Sequence, residues 1–139
     1  MSASPYAAKL ASYSSASAHG GVAAADPHKL IVMLMDGALE RVATARGCME
    51  RKETAEKARL LNRAVSIVGE LRNSLDMNAG GPIAVNLGEL YDYMSRCLLK
   101  ANVDNNVKQL DEVSNLLREI RGAWVMIPAD DRGSARGRK

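Results

Sequence analysis

The residues in this chain best able to do chemistry are few and far apart. There are two histidines, His19 and His28, and two cysteines, Cys48 and Cys97. A di-iron bundle needs Glu-x-x-His pairs, haem attachment needs Cys-x-x-Cys-His, and a zinc protease needs His-Glu-x-x-His. A phosphate-cradling loop needs Gly-x-x-x-x-Gly-Lys. None of these patterns occurs. A nucleophilic triad needs a histidine in a structured pocket. His28 is the one candidate, and its place at the start of a helical pattern reads as a first-turn surface position. The cysteines each fall in an apolar helical stripe, which predicts buried thiols in a reducing compartment and not a disulfide framework. These residue types predict no enzyme, no metal and no cofactor.

What the chain does hold is apolar surface at helical spacing. Seven methionines accompany no phenylalanine. Methionine is flexible and polarisable, so it suits a surface that adapts to a partner. Several helices are wider than a core stripe requires: Met33 widens the first, Tyr93 and Cys97 the third, and Leu116, Ala123 and Ile127 the fourth. Such width fits either a thick core or an apolar groove for another chain's amphipathic segments.

Four helices must position these residues. Asp26-Pro27 is a start signal, with Asp as N-cap and Pro at the first helical position. The stripe Leu30/Ile31, Leu34/Met35, Ala38, Val42, Ala45 and Met49 carries the first helix to about residue 50. The second is expected over 54–78, on Leu61, Ala64/Val65, Val68, Leu71 and Leu75, with Glu53 and Lys57 as an i, i+4 ion pair. Gly80-Gly81-Pro82 breaks the chain, and Pro82 opens a third helix expected to close at Ala101. Its stripes are Leu87, Leu90/Tyr91, Met94, Leu98 and Ala101 on the core side, and Glu89, Asp92, Arg96 and Lys100 on the polar side. The fourth is expected over 106–126, on Val107, Leu110, Val113, Leu117, Ile120 and Trp124. No segment alternates long enough for a strand. The fold class is all-α, an antiparallel four-helix bundle.

The bundle is expected over 26–128, flanked by two different segments. Residues 1–25 are rich in Ala and Ser and read as a mobile N-terminal arm. Within it, Tyr6, Leu10 and Tyr13 fall at i, i+4, i+7, which fits either an idle arm or a short extra helix that docks on this protein or a partner. Residues 129–139 read as a disordered basic tail. The chain carries 19 Lys and Arg against 16 Asp and Glu, but the tail holds four of the bases and two of the acids. Without it 15 bases face 14 acids, so the basic character is not a face of the folded part, as a nucleic-acid binder usually requires. A basic-tailed bundle that binds nucleic acid or an acidic partner is the alternative reading. The longest apolar run is six residues, Leu30 to Met35, against about 20 for a membrane-spanning helix, so no membrane insertion is expected. Residues 1–25 show no apolar core of a secretory signal.

Particular motifs then narrow the function. Tyr6 and Tyr13 stand in the arm, Asp26-Pro27-His28-Lys29-Leu30 opens the first helix, and Leu34-Met35-Asp36-Gly37-Ala38 follows. Gly80-Gly81 leads to Asn86-Leu87 and Leu90-Tyr91-Asp92-Tyr93-Met94, then to Ala101-Asn102. Leu117-Arg118 and Arg121-Gly122-Ala123-Trp124 end the last helix. In this order the set resembles the flagellin export chaperone family, FliS, over about residues 6–127. Two positions depart from the family pattern: Asp26 stands for its Ser and keeps a cap, and Met35 stands for its Tyr and loses a hydroxyl.

The resemblance implies a chaperone of the bacterial cytosol that binds the disordered C-terminal segment of flagellin. It would prevent premature polymerisation and help deliver the subunit to the flagellar type III export gate. The implied partners are flagellin and an export gate protein, with no nucleic acid and no cofactor, and the protein acting as a monomer or weak homodimer. The candidate groove, or its support, is Asn86, Leu87, Leu90, Tyr91, Met94, Leu98, Leu116, Ile120 and Trp124. Tyr6, Leu10 and Tyr13 are the candidate arm-docking residues.

Overall fold

The computed structural model describes residues 26–127. The expectations for the arm and the tail lie outside them. Helices α1 (Pro27–Glu50), α2 (Thr54–Asn73), α3 (Met77–Asp104) and α4 (Val107–Val125) follow one another through short connections, and no strand occurs among the described residues. Connections this short force sequential neighbours to run antiparallel. Contacts across the bundle agree. His28, Asp36 and Arg46 of α1 meet Trp124, Arg121 and Asp111 of α4, so one helix rises in number as the other falls. The packing order is a ring, with α1 against α2 and α4, and α3 against α2 and α4. The all-α four-helix bundle is as the periodicity predicts.

Each helix stops for a local reason. Asp26 caps α1, its carboxylate accepting from Lys29 N at 3.2 Å, with Pro27 in the first turn. The end of α1 is a Schellman motif: Glu53 N donates to Cys48 O (2.8 Å) and Lys52 N to Met49 O (3.2 Å). Lys52 takes the left-handed position, φ 62°, where glycine is usual. The end of α3 repeats the motif with Asn105 at φ 54° and Asn106 N bonded to Ala101 O (3.1 Å). Asn106 then caps α4 by accepting from Gln109 N at 3.3 Å.

Two boundaries differ from expectation. The second helix ends at Asn73, not 78. Ser74 Oγ turns back onto Leu71 O (2.6 Å), and the Asp76 carboxylate accepts from Asn78 N (3.1 Å), which starts a new helical turn at Met77. Leu75 keeps the helical spacing of Leu71 but lies in the connection. The third helix therefore begins before its glycines. Gly81 (φ 56°, ψ −138°) breaks it in a conformation open essentially to glycine alone, and Pro82 opens the long segment behind it. That segment runs three residues past Ala101, because the Schellman motif at Asn105 closes it.

The core is one cluster drawn from all four helices, including Met35, Val42, Leu61, Val68, Met94 and Leu117. Met35 is fully enclosed, so the position leaves no hydroxyl to satisfy. Cys48 and Cys97 are buried free thiols, as their stripes predict, and burial pushes the Cys48 thiol up and keeps it protonated. The pair expected between Glu53 and Lys57 does not form. Glu53 pairs with Arg51 (3.1 Å). Lys57 is buried and crosses to α3, donating to Asn102 O (2.9 Å) and Asn105 Oδ1 (2.6 Å). An ammonium is better placed there, because the last carbonyls of α3 have no partner within the helix.

Candidate functional site

The α3/α4 seam holds most of the candidate residues that remain accessible. Its reference point is Tyr93, whose hydroxyl donates to Glu112 Oε2 at 2.6 Å and ties the two helices. That hydrogen bond to a carboxylate, with Cys97 adding to it, raises the phenol well above its ordinary range. Arg96 lies over the ring at 5.9 Å. Helical spacing carries the flank from this contact. Asn86, Leu90, Tyr93 and Cys97 share one side of α3, and Glu112, Leu116, Ile120 and Ala123 share one side of α4.

The nine candidate residues divide by depth. Tyr91, Met94 and Leu98 are core, enclosed by the other helices, and can only support a surface. Leu87, Leu90, Leu116, Ile120 and Trp124 are half-buried, and Asn86 is exposed. The seam thus brings Asn86, Leu90, Leu116 and Ile120 to one accessible strip, with Leu87 beside it. Trp124 turns the other way, toward α1. Its indole stacks on His28 with ring centroids 5.0 Å apart, and its Nε1 donates to His28 O at 3.0 Å. His28 Nε2 donates to Trp124 O at 2.7 Å. His28 is therefore buried, not the surface residue expected. The signal was present: His28 stands three residues before Ile31 and seven before Met35, on the core stripe of α1.

Sequence reasoning also missed the most exposed apolar residues. Ile83 is 71% exposed and Val103 80%, with Val85 and Leu99 also exposed on α3, and Val125 and Met126 at the end of α4. Val85, Leu99 and Val103 share the outer face of α3, interrupted by Asp92 and Arg96. Exposed apolar side chains on a helix already packed on two sides are available for contact. Among the described residues no group of three or more His, Cys, Asp or Glu could hold a metal, and no helix is long and apolar enough to cross a membrane.

A helical bundle with open apolar flanks belongs to the class of proteins that act by contact. Sequence comparison then places it. The model of the flagellar protein FliS family matches residues 9–131. The chain is 47% identical over 120 residues to the flagellar secretion chaperone FliSB of Pseudomonas aeruginosa, covering 86% of this chain and 95% of that one. It is 41% identical over 122 residues to the flagellar secretion chaperone FliS of Salmonella typhimurium (87% and 90% covered). With its counterpart in Vibrio cholerae the identity is 39% over 121 residues (87% and 89% covered). The chain belongs to the FliS family of flagellar secretion chaperones, a family of chaperones and not of enzymes.

Proposed function

We propose that this protein holds the disordered C-terminal segment of flagellin in the cytosol, keeps it from polymerising and delivers it to the flagellar export gate. The observation that carries the reading is the strip of half-buried Leu90, Leu116 and Ile120 along the α3/α4 flank. An amphipathic segment laid along it would bury its own apolar side chains and complete the cover of these three. The motifs shared with the family support the choice of ligand, and the names of its relatives support a role in flagellar secretion. A ligand that folds as it binds spends part of the contact energy on ordering, so a large surface still permits release without chemistry.

The seam gives the first test. Leu90→Glu combined with Leu116→Glu places two charges where a bound apolar segment would cover them. Each would be desolvated without a partner, so flagellin affinity should fall by well over tenfold, tenfold being about 1.4 kcal/mol. Calorimetric titration reads the affinity and circular dichroism confirms the fold. A folded double variant with unchanged affinity places the ligand elsewhere.

A further inference from the structure

We propose that the cleft between α1 and α2 is a second docking point, which takes acidic side chains of a partner polypeptide. It is an open cleft of about 250 Å³, lined by Glu40, Arg41 and Thr44 of α1 and by Arg59, Leu60 and Arg63 of α2. Three arginines and one glutamate line it. That carboxylate compensates poorly: Glu40 lies 3.7 Å from Arg41, with its side chain 78% exposed while that of Arg41 is 22% exposed. Arg41 otherwise donates only to Gly37 O, at 3.2 Å. Arg59 is engaged by Glu56 of its own helix.

Arg63 is the anomaly. It is half-buried, and it has no hydrogen bond, ion pair or ring contact, whereas every other arginine among the described residues has a polar or ring partner. A half-buried cation without a partner is costly, because its desolvation is not offset by pairing. A carboxylate on the Arg63 guanidinium would supply the missing partner and accept paired hydrogen bonds. Polypeptide carboxylates fit better than free phosphate. The cleft lies along the middle of two helices, where the backbone N–H groups that cradle phosphates are already bonded. Glu40 at its rim also opposes a dianion more than a single carboxylate. Leu60 supplies an apolar floor for the stem of a Glu side chain. In the ring order of the bundle this cleft lies opposite the α3/α4 seam, so its occupant leaves that seam free.

The test uses the full chain and a fluorescein-labelled hexaglutamate peptide, read by fluorescence anisotropy and by amide chemical shifts. Saturable binding is expected, weakening as salt rises, with shifts at Thr44, Leu60 and Arg63. Arg63→Glu should lower the affinity about tenfold or more, and Lys108→Glu, the same charge change on an exposed face of α4, less than about twofold. Should Arg63→Glu fail to fold, Arg63→Gln serves, with at least about a threefold loss expected. Equal losses from the Arg63 and Lys108 variants, or shifts confined to other residues, would overturn the site. Displacement of the peptide by inorganic phosphate at matched ionic strength would overturn the assignment to a polypeptide carboxylate.

Discussion

Tyr91→Ala is expected to lower the unfolding free energy by about 3–5 kcal/mol, the range for losing a large aromatic from a core. Tyr91 is 3% exposed and packs in the cluster that includes Met94 and Leu98. For a bundle of about a hundred residues that loss lowers Tm by roughly 12 °C or more. The same burial has a pH signature. It pushes the phenol up to about 12 from an ordinary value near 10. The raised value means that the folded state prefers the neutral ring. The associated stability is complete below pH 10 and is lost as pH rises from there through 12. Tyr91→Phe keeps the ring, removes the ionisable group and should flatten that alkaline loss while costing little at pH 7. Thermal melts of the three proteins at pH 7 and pH 11 check both parts. A Tyr91→Ala protein with the parent Tm would show that the ring is not part of the core.

Asn105→Ala is expected to cost about 2.5–5 kcal/mol, a large effect for an exposed residue. Two sources add. Asn105 holds φ 54°, and a left-handed backbone costs alanine about 1–2 kcal/mol. Its side chain also accepts from the buried Lys57 ammonium, and hydrogen bonds to charged groups contribute about 1.5–3 kcal/mol. Asn105→Gly separates them, because glycine accepts the backbone and loses only the hydrogen bond. It should recover roughly 1 kcal/mol of the alanine loss. Urea unfolding of both variants gives the difference. Equal losses would remove the backbone argument, and a loss under about 0.5 kcal/mol in both would show that Lys57 needs no partner there.

These two residues also show what the sequence disclosed. Tyr91 stands on a clean 3.6-residue stripe, and stripes like it placed all four helices and most of the core. Asp26-Pro27 and Gly81-Pro82 carry their own signals, since a cap, a fixed φ and a freely rotating residue are local properties. Lys57, His28 and Leu75 were misjudged because their fates depend on distant partners. Lys57 had a ready local neighbour in Glu53, and nothing in the spacing shows that the unpaired carbonyls of α3 end beside it. Leu75 keeps the helical register, yet hydrogen bonds made by Ser74 and Asp76 end the helix before it. The candidate groove was legible as composition and not as depth. A stripe assigns Leu87, Leu90, Tyr91, Met94 and Leu98 to one side of α3, but which of them the neighbouring helices cover depends on how closely α4 approaches. The outer apolar face at Leu99 and Val103 went unread for the same reason: a stripe analysis asks which side faces the core, not which residues remain uncovered.

Calorimetric titration of this protein with flagellin, and with flagellin lacking its C-terminal segment, tests the central claim most directly. The account predicts one-to-one binding of the full-length subunit, with the negative heat-capacity change of apolar burial and coupled folding, and no measurable binding of the truncated one. Equal affinity for the two would contradict it.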